Sequence, residues 1–267
     1  MPPSAPALPP APAVSSEAAP PPPAHRGTRG IRGNLRFALT IAAVLAVLVA
    51  VNVLLKFGPP RAGLILSPAV AIVLIVLARR HGLTWDHLGL SRRGLRKGIG
   101  YATAAILAVG AIYLIGALLP LTRAAFLDDR YHLRPGTALL AALVVVPLGT
   151  VLLEEVAFRG VLLGLVHRHR GAAWASLSSS TLFGLWHILP SLRLNRANQA
   201  VGTLVGAGTG GQVLSVLAAV GFTALAGLLL CELRRRSGSL LAAAGLHWAT
   251  NGLGVVLATV VWAVRVA

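Results

Sequence analysis

Runs of about twenty apolar residues recur along this 267-residue chain, and a helix of that length crosses a hydrocarbon core about 30 Å thick. Lipid offers no hydrogen bonds to exposed backbone, so segments of this kind must satisfy their own N–H and C=O groups as helices. The chain is 56% hydrophobic and only 12% charged, with a mean hydropathy of +0.77, which excludes an ordinary soluble domain of this size. An all-α, polytopic transmembrane bundle is expected. The runs fall at about 37–55, 62–78, 98–119, 139–165, 172–189, 212–231 and 239–264, giving about seven membrane helices. The Gly-rich stretch 199–211 reads as an outer loop, a re-entrant turn or a short eighth helix.

The loops test this arrangement, because cytoplasmic loops carry the excess of Lys and Arg. With the N-terminus inside, fifteen basic residues fall on the cytoplasmic side against eight outside, and Arg159 lies in the membrane. The inside group comprises those from Arg26 to Arg36, Arg79 and Arg80, Arg92 to Lys97, Arg168 and Arg170, and Arg234 to Arg236. The formal charge of +17 then reflects topology and contact with the lipid bilayer's anionic headgroups. No nucleic-acid partner is expected, since membrane spans split the charge into separate loops.

Residues 1–36 are rich in Pro and Ala and poor in large apolar groups, which predicts a disordered cytoplasmic tail ahead of a transmembrane domain at 37–267. The first apolar run is too long for a signal-peptide core and is read as a retained helix. A single cysteine, Cys231, excludes an intrachain disulfide and any cysteine-built metal cluster. High Ala content and an excess of Arg over Lys suggest a GC-rich bacterial genome, and hence a multi-pass protein of the plasma membrane.

Three polar constellations interrupt the apolar runs: Glu154, Glu155 and Arg159 in EEVAFR, Phe183 and His187 in FGLWH, and His247 and Asn251 in HWATN. A charged side chain at the centre of a membrane helix costs about 2.5–3.5 kcal/mol by insertion measurements, so such groups call for a compensating role. Glu155 and Arg159 are four apart with the carboxylate first, the favourable order for an ion pair. Glu154 lies about 100° further round and needs another partner, which makes it the reactive candidate and Glu155 the supporting one. At 1.5 Å per residue, Glu154, His187, His247 and Asn251 lie about 18, 22, 12 and 18 Å from the cytoplasmic ends of their helices, within one slab of about 10 Å. Phe183 shares a face with His187 and is expected to fix its ring, and Asn251 shares a face with His247. Gly160 and Gly164 would let a neighbouring helix approach closely. Trp186 and Trp248 are read as packing or interfacial residues, and Asp128, Asp129, Arg130, His132 and Arg134 as a solvated charge cluster in an external loop.

Taken together, over about residues 137–255, the three motifs resemble those of the CPBP family of intramembrane proteases, also called the CAAX protease and bacteriocin-processing, or Abi, family. The resemblance implies a helical bundle that hydrolyses a peptide bond of a membrane-associated protein or peptide. It further implies that Glu154 and His187 activate the attacking water, that His247 and Asn251 stabilise the oxyanion, and that Glu155 and Arg159 organise the site. Hydrolysis there needs a polar cavity reaching the cytoplasm or the bilayer side.

Other readings stay open. Buried hydrogen bonds between helices would use the same residues structurally. No cofactor is expected, although Glu154, His187 and His247 could supply three ligands to a zinc ion with water in the fourth position, in the absence of an HExxH motif. A transporter would use the same groups as a proton relay, but no inverted repeat is visible and the polar chemistry is confined to the C-terminal half. A catalytically idle scaffold, of the kind that confers immunity to a secreted peptide, is the remaining alternative.

Overall fold

A computed structural model describes residues 31–59 and 61–266. Among these, all helical and turn structure is joined by only one isolated bridge between Asp128 and Asn198, so the bundle is all-α. The expected N-terminal tail lies outside the described residues up to residue 30, and helix α1 (Ile31–Phe57) already occupies its last positions. The other long elements are α2 (Gly63–Arg80), α3 (Leu95–Leu118), α4 (Pro135–Arg170), α5 (Ala172–Trp186), α6 (Thr209–Ser237) and α7 (Leu240–Arg265). All but α5 are long and apolar enough to cross a membrane, making six candidate spans among the described residues.

The fifth expected span is therefore shorter than its apolar run. α5 has 15 residues and a length of about 22 Å, and it ends where His187 leaves helical geometry. Pro190 explains the break. It carries no N–H for the carbonyl of Trp186 four residues earlier, and that carbonyl is instead hydrogen-bonded by Asn52 Nδ2 of α1 at 2.8 Å. The chain continues as three short helices, Ile188–Ser191, Leu194–Ala197 and Gln199–Val205. The last has 7 residues, about 10 Å, so the Gly-rich stretch does not make an eighth crossing.

α4 is the axis of the bundle and is wound unusually wide. Segments Ala141–Val145, Pro147–Val151 and Glu155–Leu162 are π-helical, with i→i+5 hydrogen bonds. Three carbonyl oxygens along this stretch accept hydrogen bonds from other helices. Trp248 Nε1 of α7 donates to Ala142 at 2.8 Å, Ser67 Oγ of α2 to Gly149 at 2.7 Å, and Ser179 Oγ of α5 to Phe158 at 2.7 Å. Ala142 is the residue that Pro147 would have served in π winding had it possessed an N–H. Trp248 is thus a half-buried packing residue whose indole N–H serves α4.

Small residues set the closest approaches, as is usual where packing rather than water drives helix association. A Cβ on Gly184 of α5 would lie 2.7 Å from the carbonyl oxygen of Val220 on α6. Gly164 takes no spanning helix. A Cβ there would lie 2.7 Å from Leu83 Cδ2, in the turn before the short helix Trp85–Leu88. The buried core, built around Leu74, Leu153, Phe158, Leu162 and Phe183, lies where α1, α2, α4 and α5 meet, while large apolar side chains such as Ile65, Leu107 and Phe222 face outwards.

Replacing Trp248 by Phe keeps the ring and orphans the Ala142 carbonyl, which should cost about 1–3 kcal/mol. A lower unfolding temperature in detergent checks it; an unchanged one would show that another donor takes over.

Candidate active site

The wide turn that begins at Glu155 carries Glu155 and Arg159 into the interior just after Glu154; Arg159 is 0% exposed there and Glu154, Glu155 and His247 are buried. Arg159 Nη1 donates to Glu155 Oε1 at 3.2 Å, forming the ion pair that the sequence spacing predicts. The guanidinium carbon lies over Phe183, 3.9 Å from the ring centroid, a cation–π contact in a dry setting. Phe183 also stands edge-on to His187 at 4.6 Å and to His247 at 5.6 Å, so one ring orients a cation and both imidazoles.

His247 reaches across from α7 to the two carboxylates. Its Nδ1 is 2.7 Å from Glu155 Oε1, and its Nε2 is 3.7 Å from Glu154 Oε2. Glu155 Oε1 thereby faces two donors. Glu154 is held differently: the Trp186 indole donates to its Oε1 at 2.9 Å, and its Oε2 is buried with no hydrogen-bond partner. Trp186 is a contact that sequence reasoning missed. Its signal was an indole N–H inside an apolar span, a group that seeks an acceptor when buried.

A cavity of about 410 Å³ lies in front of Glu154 and is lined by Glu154, His187 and Asn251 together with Lys56, Arg130 and Tyr131. That volume falls in the range of substrate sites. Glu155, Arg159, Phe183 and His247 form a layer behind it. His187 caps α5, with its Nδ1 2.8 Å from the carbonyl of Phe183 in the last turn. Glu154, His187 and Asn251, expected from helix depth to lie together, line this one cavity, and His247 lies beside Glu154. The cavity runs towards the end where α1 stops and α4 starts, opposite Arg170 and Arg234.

A second cavity of about 450 Å³ shares Arg130, His187 and Pro190 with the first and is otherwise mostly apolar, between α6 and the short helices after His187. In the loop carrying Arg130, Asp129, Arg130, His132 and Arg134 are exposed as their charges suggest, and Asp128 is the exception. Asp128 is buried, takes a bidentate ion pair from Arg130 at 2.7 and 2.8 Å, and gives its backbone carbonyl to Trp262 Nε1 at 3.1 Å. The Asp128 hydrogen bond holds the Arg130 guanidinium above its ordinary range. Burial raises the Tyr131 phenol above its usual value, against the opposing pull of Arg130, so Tyr131 remains an O–H at neutral pH.

Among the described residues no three His, Cys, Asp or Glu side chains are grouped to hold a metal ion. Both ring nitrogens of His247 face carboxylates, Nδ1 towards Glu155 and Nε2 towards Glu154.

Removing Arg159 leaves Glu155 as an uncompensated buried charge. Arg159→Met should therefore destabilise the bundle by about 3–5 kcal/mol. Denaturant titration in detergent measures this, and Glu155→Gln added to Arg159→Met should recover part of the loss. Compared with known proteins, residues 136–253 match the family described as Rce1-like, type II CAAX prenyl endopeptidase Rce1-like. No curated protein and no solved structure matches the chain.

Proposed function

We propose that this chain, placed in the CPBP/CAAX protease family by the match over residues 136–253, is an intramembrane endopeptidase in which Glu154 activates water. The family supports a CAAX-type membrane protease acting on membrane-associated substrates. One observation carries the finer reading. Glu154 has one oxygen fixed by Trp186 and the other without a hydrogen-bond partner, and Glu154, His187 and Asn251 all line one cavity.

In this reading Oε2 of Glu154 takes a proton from a water that attacks the substrate carbonyl, and His187 helps orient that water. The Asn251 amide donates to the oxygen that becomes negative. The proton on Glu154 then passes to the departing amine as the C–N bond breaks, so the enzyme returns unchanged. The family resemblance assigns His247 to the oxyanion. Its contacts here favour another role: with Nδ1–H donated to Glu155, its Nε2 faces the oxygen of Glu154 that accepts the proton. No step requires a metal.

The pairing of a polar cavity with an apolar one at His187 suits a membrane-associated protein or peptide that places an apolar group beside the scissile bond. We place the protein in a bacterial plasma membrane with its N-terminus cytoplasmic, from the distribution of Arg and Lys, and the cavity then faces the outer half of the bilayer.

The test is cleavage of a library of membrane-anchored peptides by the purified protein. Glu154→Gln should lower the rate at least about 100-fold, and Asn251→Ala about 100-fold. Trp186→Phe should cost about tenfold through one lost hydrogen bond to a charged group. Wild-type cleavage should survive a strong chelator. Unchanged cleavage by Glu154→Gln would remove Glu154 from the chemistry, and zinc-restored loss on chelation would make these residues metal ligands. Cleavage by no form would favour a transporter or scaffold.

A further inference from the structure

At the opposite end of the bundle from Lys56 and Arg130, where α1 begins and α2 and α4 end, lies a cavity of about 480 Å³ that the proposed reaction does not use. Its wall carries Arg36, Arg80 and Arg168 together with His81 and His169, and among the described residues no Asp or Glu lines it. Like charges gathered around one concavity repel, and low-dielectric walls focus their field on whatever enters. Three features keep the group together. Arg168 Nη1 donates to the carbonyl of His81 at 3.0 Å, in a turn whose Gly82 has φ +80° and leaves no room for a Cβ. The His169 ring stacks on Phe37 at 3.8 Å and 2°. The His81 ring lies 3.1 Å from Thr40 Oγ1.

We propose that this cavity is a binding site for a phosphate group, independent of the protease reading. Arginine guanidinia match the oxygens of phosphate in a way that suits anion recognition over general attraction. The site sits at the level where three candidate spans terminate, the depth of a phospholipid's phosphate, with Phe37, Leu83 and Leu165 offering apolar contact below it. The same chemistry would accept the phosphate of a small soluble ligand, so the source is a matter for the experiment.

The full-length protein, stripped of lipid in detergent, is titrated with phosphatidylglycerol and separately with glycerol phosphate, and bound ligand is counted by native mass spectrometry. The variants are Arg36→Gln with Arg80→Gln, and, as a control, Arg92→Gln with Arg93→Gln, which removes the same charge from exposed positions outside the cavity. Saturable binding of one phosphatidylglycerol, weakened about tenfold or more by the first pair and little by the second, is the expected result. Competition by glycerol phosphate would support the site with a soluble source, and indifference to it a lipid one. Equal weakening by both pairs would overturn the proposal in favour of diffuse headgroup attraction, as would the absence of saturable binding of either probe.

Discussion

A backbone carbonyl without a donor inside a membrane costs several kcal/mol, and much of this bundle follows from how those debts are settled around two prolines. Pro147 sits within α4 and Pro190 just beyond α5, and each deprives an earlier carbonyl of its N–H. In each case a side chain from another helix supplies the donor, Trp248 for Ala142 and Asn52 for Trp186. Those two bonds fasten α7 to α4 and α1 to α5. Because Trp248 follows His247 and Trp186 precedes His187, satisfying the backbone also positions the two histidines.

Electrostatics then divides the two adjacent glutamates. Arg159 and His247 both converge on Glu155 Oε1, whereas Glu154 receives only a neutral indole N–H. Charge-assisted contacts gather on Glu155 Oε1, while Oε2 of each glutamate is left without a hydrogen-bond partner. The guanidinium itself is incompletely satisfied, since its Nε and Nη2 have no hydrogen-bond partner, and the face of Phe183 takes up part of that need. Of the two glutamates, Glu154 lines the cavity and Glu155 does not.

The helical class, the three motifs and their convergence were legible because hydropathy and residue spacing act locally. The Glu155–Arg159 pair survives in the structure despite π winding, since four residues still bring the groups to 3.2 Å. The early end of α5 was hidden, because the apolar run continues past Trp186 and only the i−4 consequence of Pro190 stops the helix. Long-range partners were also out of reach. Nothing near Asp128 in sequence announces Asn198 or Trp262, and nothing near Glu154 announces Trp186. Composition marked Asp128 as solvated, while tertiary packing made it the buried anchor of a loop at the cavity wall.

The shortness of α5 has a consequence for the surrounding lipid. A helix of about 22 Å is some 8 Å short of the hydrocarbon thickness, and a bilayer meeting such a mismatch thins beside it or is replaced there by polar protein. The chain after His187 covers this flank with three short helices. The proposed hydrolysis would then lie beside the shortest of the long helices, where mismatch thins a bilayer most.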